Sequence, residues 1–277
     1  MEEHMQEYLY HYTSIENLAL ILKNRTIRLN TLDKMDDLQE QKTRDVQNFG
    51  KFFFVSSWTS LESESIPMWK MYTCTSSGVR IKLAKNPFKW QYTKGSDFEK
   101  IPGYKNVDQE SREYVRETFV NWADMMLQGV FSPQAGSGEL LHKVEYTADR
   151  DLLEPQIITQ TDERTHLSWD TVGRYKNLHW KFQEEWRYLM VFIPMDFLCS
   201  PANMVKAFHQ TVLRMKNGTE VLPFSYYDLP IDDTPFCQME ITPSPQMTAG
   251  FRLLLDDLVE KYNPTATIKE SELLGLI

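Results

Sequence analysis

Three short stretches of this sequence hold residue types that can do chemistry. In the first, Phe182-Gln183-Glu184-Glu185-Trp186-Arg187 runs straight into the apolar Tyr188-Leu189-Met190-Val191-Phe192-Ile193, which puts an amide and two carboxylates at the mouth of a buried strand. A carboxylate taken out of water without a partner is costly, so charge in such a place is paired, hydrogen-bonded or put to use. Side chains alternate along a strand, so Gln183, Glu185 and Arg187 share one face and Glu184, Trp186 and Tyr188 the other. Arg187 can pair with Glu184 or touch a phosphate, and the ion pair is the simpler, structural use. The second stretch, Tyr10-His11-Tyr12-Thr13-Ser14, delivers His11 to the end of a strand, where it can donate a hydrogen bond to a ligand hydroxyl while Tyr12 and Thr13 shape a pocket. The third is Phe52 to Thr59, in which Phe54, Ser56 and Trp58 alternate with Val55, Ser57 and Thr59. Hydroxyls on one strand face can orient a carboxylate. Each stretch alone also has an ordinary explanation: a solvated sheet end, a histidine satisfied by backbone carbonyls, a hydrated edge strand.

The surrounding elements must bring these side chains together. Tyr8 to Tyr12 reads as a strand, and Thr13-Ser14-Ile15-Glu16 has capping-box spacing, with the Thr13 hydroxyl and the Glu16 carboxylate satisfying free amides at a helix start. Ile15, Leu18, Ala19 and Leu22 form one apolar stripe, and Thr26 to Asn30 alternates as a second strand. Leu32 to Glu40 is acidic and loop-like, Lys51 to Trp58 reads as a strand, and Pro67 opens a short helix over Met68 to Tyr72. Gly78 to Leu83 alternates apolar and basic residues, predicting a half-buried strand with a positive outer face. Val115, Phe119, Trp122, Met126 and Val130 recur at near-helical spacing, which predicts an amphipathic helix of about four or five turns. Leu140 to Tyr146 reads as strand and Thr161 to Asn177 as a polar helix. Asn217-Gly218, between Val205–Met215 and Thr219–Tyr227, predicts a β-hairpin. The chain closes with a strand over Met239 to Thr242, a helix over Met247 to Tyr262 with Phe251, Leu254, Leu255 and Leu258 inward, and a strand over Thr265 to Ile268. Many short strands and few, well-separated helices predict an α+β fold, a mixed sheet with helices, in a single domain over residues 1–277 with a central helical insertion at about 85–177.

Composition excludes several classes. The 277 residues are 42% hydrophobic, enough for a sizeable core. A net charge of −9 argues against a general nucleic-acid or membrane-surface binder, since phosphate binding accumulates lysine and arginine. Cys74, Cys199 and Cys237 are widely spaced, which predicts neither a disulfide framework nor a cysteine zinc site and fits the reducing cytosol. No leader or membrane-spanning run is visible. The six histidines show no metal-ligand spacing, and neither a glycine-rich phosphate loop nor a Gly-x-Ser-x-Gly elbow occurs. No metal site is therefore expected.

The order of the motifs says more than any one of them. His11-Tyr12-Thr13-Ser14 ahead of a helix, then Phe54-Val55-Ser56-Ser57-Trp58-Thr59, then Gln183-Glu184-Glu185-Trp186-Arg187 resembles the ADP-ribosyltransferase superfamily, and is most similar to a bacterial family with that N-terminal His-Tyr-Thr-Ser. Met35 to Glu40 resembles the Met-Asn-Asp-x-x-Glu segment of that family, and Pro67 to Tyr72 its Pro-Met-Trp-x-x-Tyr helix. Gly78 to Ile81 and the segment Ile241 to Ser271 match its later strands and C-terminus. The likeness covers both ends and the Gln-x-Glu segment, and leaves about Lys85 to Asn177 outside it.

The resemblance implies an ADP-ribosyltransferase-like fold and NAD as substrate. Breaking the N-glycosidic bond of NAD develops oxocarbenium-like charge on the ribose, which a fixed carboxylate stabilises. It implies Glu185 as the catalytic carboxylate, Gln183 as the contact to the acceptor nucleophile and His11 as the partner of a ribose hydroxyl. Tyr12 or Trp58 would pack against nicotinamide beside Thr13, and Ser57 and Thr59 would orient Glu185. The likeness extends to an RNA-modifying toxin of an anti-phage toxin, antitoxin and chaperone system, so it implies an RNA acceptor and antitoxin and chaperone partners. Arg80, Lys82, Lys85, Lys89 and Lys94 would have to form a local basic patch. Two other readings stay open: an NAD glycohydrolase that passes the ribosyl group to water, and a non-catalytic nucleotide-sensing module.

Overall fold

The computed structural model describes residues 8–101, 113, 115–133, 139–160, 165–197 and 203–277. Nine strands form the main sheet: β1 (Tyr8–Ser14), β2 (Thr26–Thr31), β3 (Phe53–Thr59), β4 (Gly78–Ala84), β5 (Leu141–Lys143), β6 (Glu185–Val191), β7 (Tyr226–Pro230), β8 (Glu240–Pro243) and β9 (Thr267–Ile268). All their pairings are antiparallel except β8 with β9, so the chain is α+β with a mixed sheet.

Strand β3 organises the site. Along one edge it pairs with β6 over its whole length, from Thr59 opposite Glu185 to Phe53 opposite Val191. Its other edge is divided: β2 takes Val55 and Phe54 at one end, and β1 takes Thr59 at the other. Ser56, Ser57 and Trp58 have no strand partner on that edge, so β1 and β2 splay apart and a cleft opens between them. The continuous apolar reading of β6 follows from burial on both faces. Tyr188 and Met190 pack with Phe54 and Trp58 in a core completed by Leu9, Leu18, Leu22, Ile81 and Leu255. Leu189 and Val191 pack on the opposite face with Phe53, Val55, Val212 and Met215.

Helix α1 (Ile15–Asn24) buries Ile15, Leu18, Ile21 and Leu22, the stripe the spacing predicts apart from the half-buried Ala19. Its cap differs from the expected box. Ser14 is the N-cap and its hydroxyl accepts from the Asn17 amide at 3.3 Å, while the Thr13 hydroxyl accepts from the Asn17 side chain at 3.1 Å. Helix α2 (Ile66–Tyr72) starts as predicted, capped by Ser65 with Pro67 in its first turn, and buries Met68 and Trp69.

Several other expectations are corrected. Met204–Lys216 is a helix, not half of a hairpin: Val212 and Met215 turn inward at helical spacing, and Gly218, at φ 70°, turns the chain just past its end. Asn-Gly serves a helix terminus as well as a hairpin because both need positive φ. The expected long central helix is strand Val115–Thr118, helix Trp122–Leu127 and strand Val130–Phe131. In place of a polar helix over Thr161 to Asn177, the described residues form strands Thr165–Leu167 and Tyr175–Asn177; positions 161–164 lie outside the described residues. The segment 85–177 joins the shared core through Phe88, Phe119, Val120, Met125 and Leu140, and supplies β5 to the edge of β6. In the C-terminal helix Ala249–Tyr262, Leu255 and Val259 are buried but Leu254 is 53% exposed, against expectation.

Candidate active site

The cleft between β1 and β2 has a volume of about 470 Å³. His11, Tyr12, Thr13, Ser57, Trp58, Gln183 and Glu185, drawn from three distant parts of the sequence, all line it. Thr59 does not. Asn17 and Leu20 of α1 and Tyr72 of α2 form further wall, and Arg28, Asn30, Lys34 and Asp36 line the β2 side.

Glu185 is 3% exposed and starts β6. Its Oε2 lies 2.7 Å from Lys176 Nζ and its Oε1 2.5 Å from Arg187 Nε. Lys176 Nζ is also 3.3 Å from Glu40 Oε1, and Arg187 makes a second ion pair with Glu40. Two carboxylates and two cations therefore close a buried quartet with no net charge, the condition under which burying ions is tolerable. Burial raises the Glu185 pKa, but the Arg187 and Lys176 charges outweigh it and bring the carboxyl down to about 2. Burial disfavours the Arg187 cation, yet Glu185 and Glu40 hold its guanidinium above its usual range.

Lys176 joins the quartet to Gln183. Its Nζ donates to Gln183 Oε1 at 3.0 Å, and the Gln183 Nε2 donates to the Tyr72 hydroxyl. Gln183 ends a 3₁₀ turn rather than sharing a strand with Glu185, and Glu184 between them is left-handed at φ 42°. Such a conformation costs about 1–3 kcal/mol in a non-glycine residue. Here it leaves Glu184 exposed while Gln183 and Glu185, both buried, turn toward the same lysine. The Glu184 carbonyl accepts from the Ser60 amide at 3.2 Å, and the Glu185 amide donates to the Tyr146 hydroxyl at 2.9 Å.

His11 sits where β3 lacks a strand partner. Its Nδ1 is 2.8 Å from the Ser57 carbonyl oxygen. A carbonyl only accepts, so Nδ1 carries the proton and satisfies a main-chain group that the splayed strands leave unpaired. Burial lowers the His11 pKa, with the Ser57 contact opposing, which favours the neutral ring. Its Nε2 is then an acceptor. A ligand hydroxyl would donate to His11, the reverse of the polarity expected above.

Other predicted roles change. Thr59 does not orient Glu185: its hydroxyl donates to the Gln183 carbonyl at 2.6 Å and accepts from the Leu61 amide at 3.1 Å. Ser57 contributes its carbonyl to His11, and the cations Lys176 and Arg187 fix Glu185 instead. Arg187 pairs with Glu185 and Glu40, not Glu184. Trp58 is 2% exposed, edge-on to Tyr188, and its indole N–H donates to Ser56 at 3.0 Å, so most of its ring is core. Tyr12 packs edge-on against Trp69, with its hydroxyl accepting from the Ser65 amide at 3.0 Å, and thereby seats α2. The Thr13 hydroxyl accepts from the Asn17 side-chain amide at the cleft wall.

Arg80 does not join the expected basic patch, and Lys82 and Lys85 are partly engaged, while Lys89 and Lys94 are exposed. Arg80 is buried, 3.9 Å over the Tyr10 ring, and donates to the Leu61 and Glu62 carbonyls; Lys82 pairs with Glu240 at 3.7 Å, and Lys85 lies 4.3 Å over the Trp186 ring. Alternation hid this because a cation stacked on aromatic neighbours occupies an inward position.

Sequence reasoning missed Lys176, Glu40 and Tyr72 as site residues. Lys176 lay in a stretch read as a helix. Glu40 and Tyr72 ended two motifs already quoted for their resemblance, and terminal polar residues of such motifs were the available signal. Among the described residues, no group of histidine, cysteine and acidic side chains could hold a metal, and no helix is long and apolar enough to cross a membrane.

No protein-family model, no curated protein and no solved structure matches the chain.

Proposed function

We propose that this protein is an ADP-ribosyltransferase that cleaves NAD at its nicotinamide–ribose bond and transfers the ADP-ribosyl group to a macromolecular acceptor. The observation that carries the reading is the meeting of His11 and an ionised, doubly anchored Glu185 in one cleft. A carboxylate fixed before substrate arrives needs no reorganisation as positive charge develops on a ribose. Each carboxylate oxygen retains acceptor capacity beyond the bond to its cation, enough for a ribose hydroxyl. His11 Nε2 offers a second acceptor for a hydroxyl, and Tyr72 an aromatic wall near Gln183 and Glu185. Arg28, paired with Asp228, and Lys34, which donates to the Ser225 carbonyl, line the same cleft and bring positive charge toward a pyrophosphate.

RNA remains the acceptor the sequence resemblance favours, together with a toxin role held in check by an antitoxin and a chaperone. One observation favours a second reading, an NAD glycohydrolase: Gln183 is tied at both ends of its amide, to Lys176 and Tyr72, and so is not free to meet an acceptor nucleophile. Incubation with labelled NAD and, separately, RNA, DNA and protein tests both. Label transfer supports the transferase, free ADP-ribose alone the glycohydrolase, and absence of both rejects NAD chemistry. Glu185→Gln should abolish turnover by a folded protein, and activity equal to wild type would remove Glu185 from its role.

A further inference from the structure

A second cavity, about 310 Å³, lies between the edge strand β7 and the helix Trp122–Leu127. It shares Asp228 with the cleft. Asp228 forms two bonds to Arg28, at 2.8 and 2.9 Å, and the Arg28 guanidinium lies 3.7 Å over the Tyr226 ring, so this ion pair is the wall between the two spaces.

The lining defines the ligand. Three amide side chains, Gln91, Asn121 and Gln128, stand beside Tyr226 and Tyr227. Gln91 donates its Nε2 to the Phe119 carbonyl and Asn121 accepts the Asp124 amide on its Oδ1, which leaves an acceptor on the first and a donor on the second. Burial, and then the Asp124 charge, push the Tyr227 phenol up to about 12, so it stays a neutral hydroxyl. Among the described residues the lining includes Asp124 and Asp228 but no lysine or arginine, and Arg28, which stands behind the wall, is already neutralised by Asp228. With Asp228 neutralised, the Asp124 carboxylate disfavours a phosphate there, whereas a flat heterocycle with amino and ring-nitrogen edges finds aromatic surface from Tyr227 and Phe224, amide groups of both polarities and the Asp124 carboxylate for its amino hydrogens. Unpaired bases are recognised by this combination of stacking and edge hydrogen bonds.

We propose that this cavity is a nucleobase pocket that adjoins the cleft at Asp228. Its use in turnover rests on the transferase reading; its ability to bind a base does not. The base can come from a free nucleotide or from an unpaired residue of an acceptor strand.

The test is calorimetric titration of the full chain with adenosine, cytidine, guanosine and uridine, with ribose 5-phosphate as the baseless control, and with a short unstructured RNA. Binding of a base, with no response to ribose 5-phosphate, is expected, and Gln128→Ala and Tyr227→Phe should each weaken it roughly three- to tenfold, the loss of one hydrogen bond. Nucleosides binding as well as the strand would assign the pocket to a free nucleotide, and binding by the strand alone would assign it to an acceptor. The proposal is overturned if neither nucleosides nor strand bind, or if binding is unchanged in both variants and lost in His11→Ala, which would put the base in the main cleft. NAD turnover measured in parallel separates the two ideas: base binding without turnover leaves the pocket and removes the enzyme, and turnover without base binding does the reverse.

Discussion

Lys176 Nζ lies 2.7 Å from Glu185 Oε2, and both side chains are almost wholly buried. The lysine comes from a short strand that pairs with Glu145–Thr147 rather than with β6, and Tyr146 of that neighbour accepts the Glu185 amide. One small β-ribbon thus fixes both the main chain and the side chain of the central carboxylate.

Removing the lysine should be felt in stability and in chemistry. Lys176→Met leaves Glu185 and Glu40 sharing one arginine, and breaking a buried pair from one side costs about 3–5 kcal/mol. A lowered urea midpoint is expected. If the protein turns over NAD, the acid limb of its pH–rate profile should also move to higher pH, because the cation that holds Glu185 ionised is gone. A profile unchanged in a folded variant would show that Lys176 does not act on Glu185.

Acid should weaken the fold through Glu185. Its carboxyl goes from an ordinary 4.5 to about 2 on folding, a depressed value, so its stabilisation is complete above pH 4.5 and is lost as pH falls toward 2. The shift corresponds to about 3 kcal/mol. Chemical denaturation measured from pH 7 to pH 2.5 should show a loss that begins near pH 4.5 and is smaller in Glu185→Gln.

Tyr72→Phe deletes the acceptor of the Gln183 amide N–H while keeping the ring. A buried donor left without a partner costs about 1–3 kcal/mol. Thermal melting should fall accordingly. A melting temperature equal to wild type would mean that the Gln183 amide finds another partner.

Gly173 should not accept a side chain. Its φ is 75°, an added Cβ would stand 2.8 Å from Leu189 Cδ1, and its carbonyl accepts from Arg187 Nη1 at 3.1 Å. Gly173→Ala is expected to destabilise by more than 1 kcal/mol, the scale of an alanine forced into positive φ, and to disturb the quartet through Arg187. Differential scanning calorimetry checks the first effect, and NAD turnover the second.

His11→Gln keeps a donor within reach of the Ser57 carbonyl but removes the ring acceptor in the cleft. For an NAD-cleaving enzyme we expect KM to rise about tenfold, the upper range for one hydrogen bond, with the fold intact. An unchanged KM would detach His11 from the ligand.

Local rules made the first half of the chain legible. α1, α2 and strands β1 to β4 stand close to where periodicity and capping residues put them, because each is fixed by neighbours within a few positions. The stretches 115–130, 165–177 and 205–219 differ from expectation where signals are ambiguous: Asn-Gly marks a helix end here, and short strands carry apolar residues at spacings that imitate a helix, whereas the strands near Leu140 and after Glu185 stand as expected. The predicted site residues except Thr59 do line one cleft, but their partners escaped notice, since nothing local ties Lys176 to Glu40 across 136 positions.

The sequence by itself determined which side chains with chemical capacity exist, and that His11 and Ser57 lie on strands while Glu185 opens one; it misplaced His11, which stands in the middle of β1 and not at its end. Tertiary structure alone decided that two strands divide one edge of β3, which opens the cleft and leaves the Ser57 carbonyl to His11. It also decided that Glu185 is fixed by Lys176 and Arg187, not by hydroxyls. The reason is physical: strand propensity is local, but the partner of a strand edge and the counter-ion of a buried charge are chosen by long-range packing, where the cost of an unpaired group is settled.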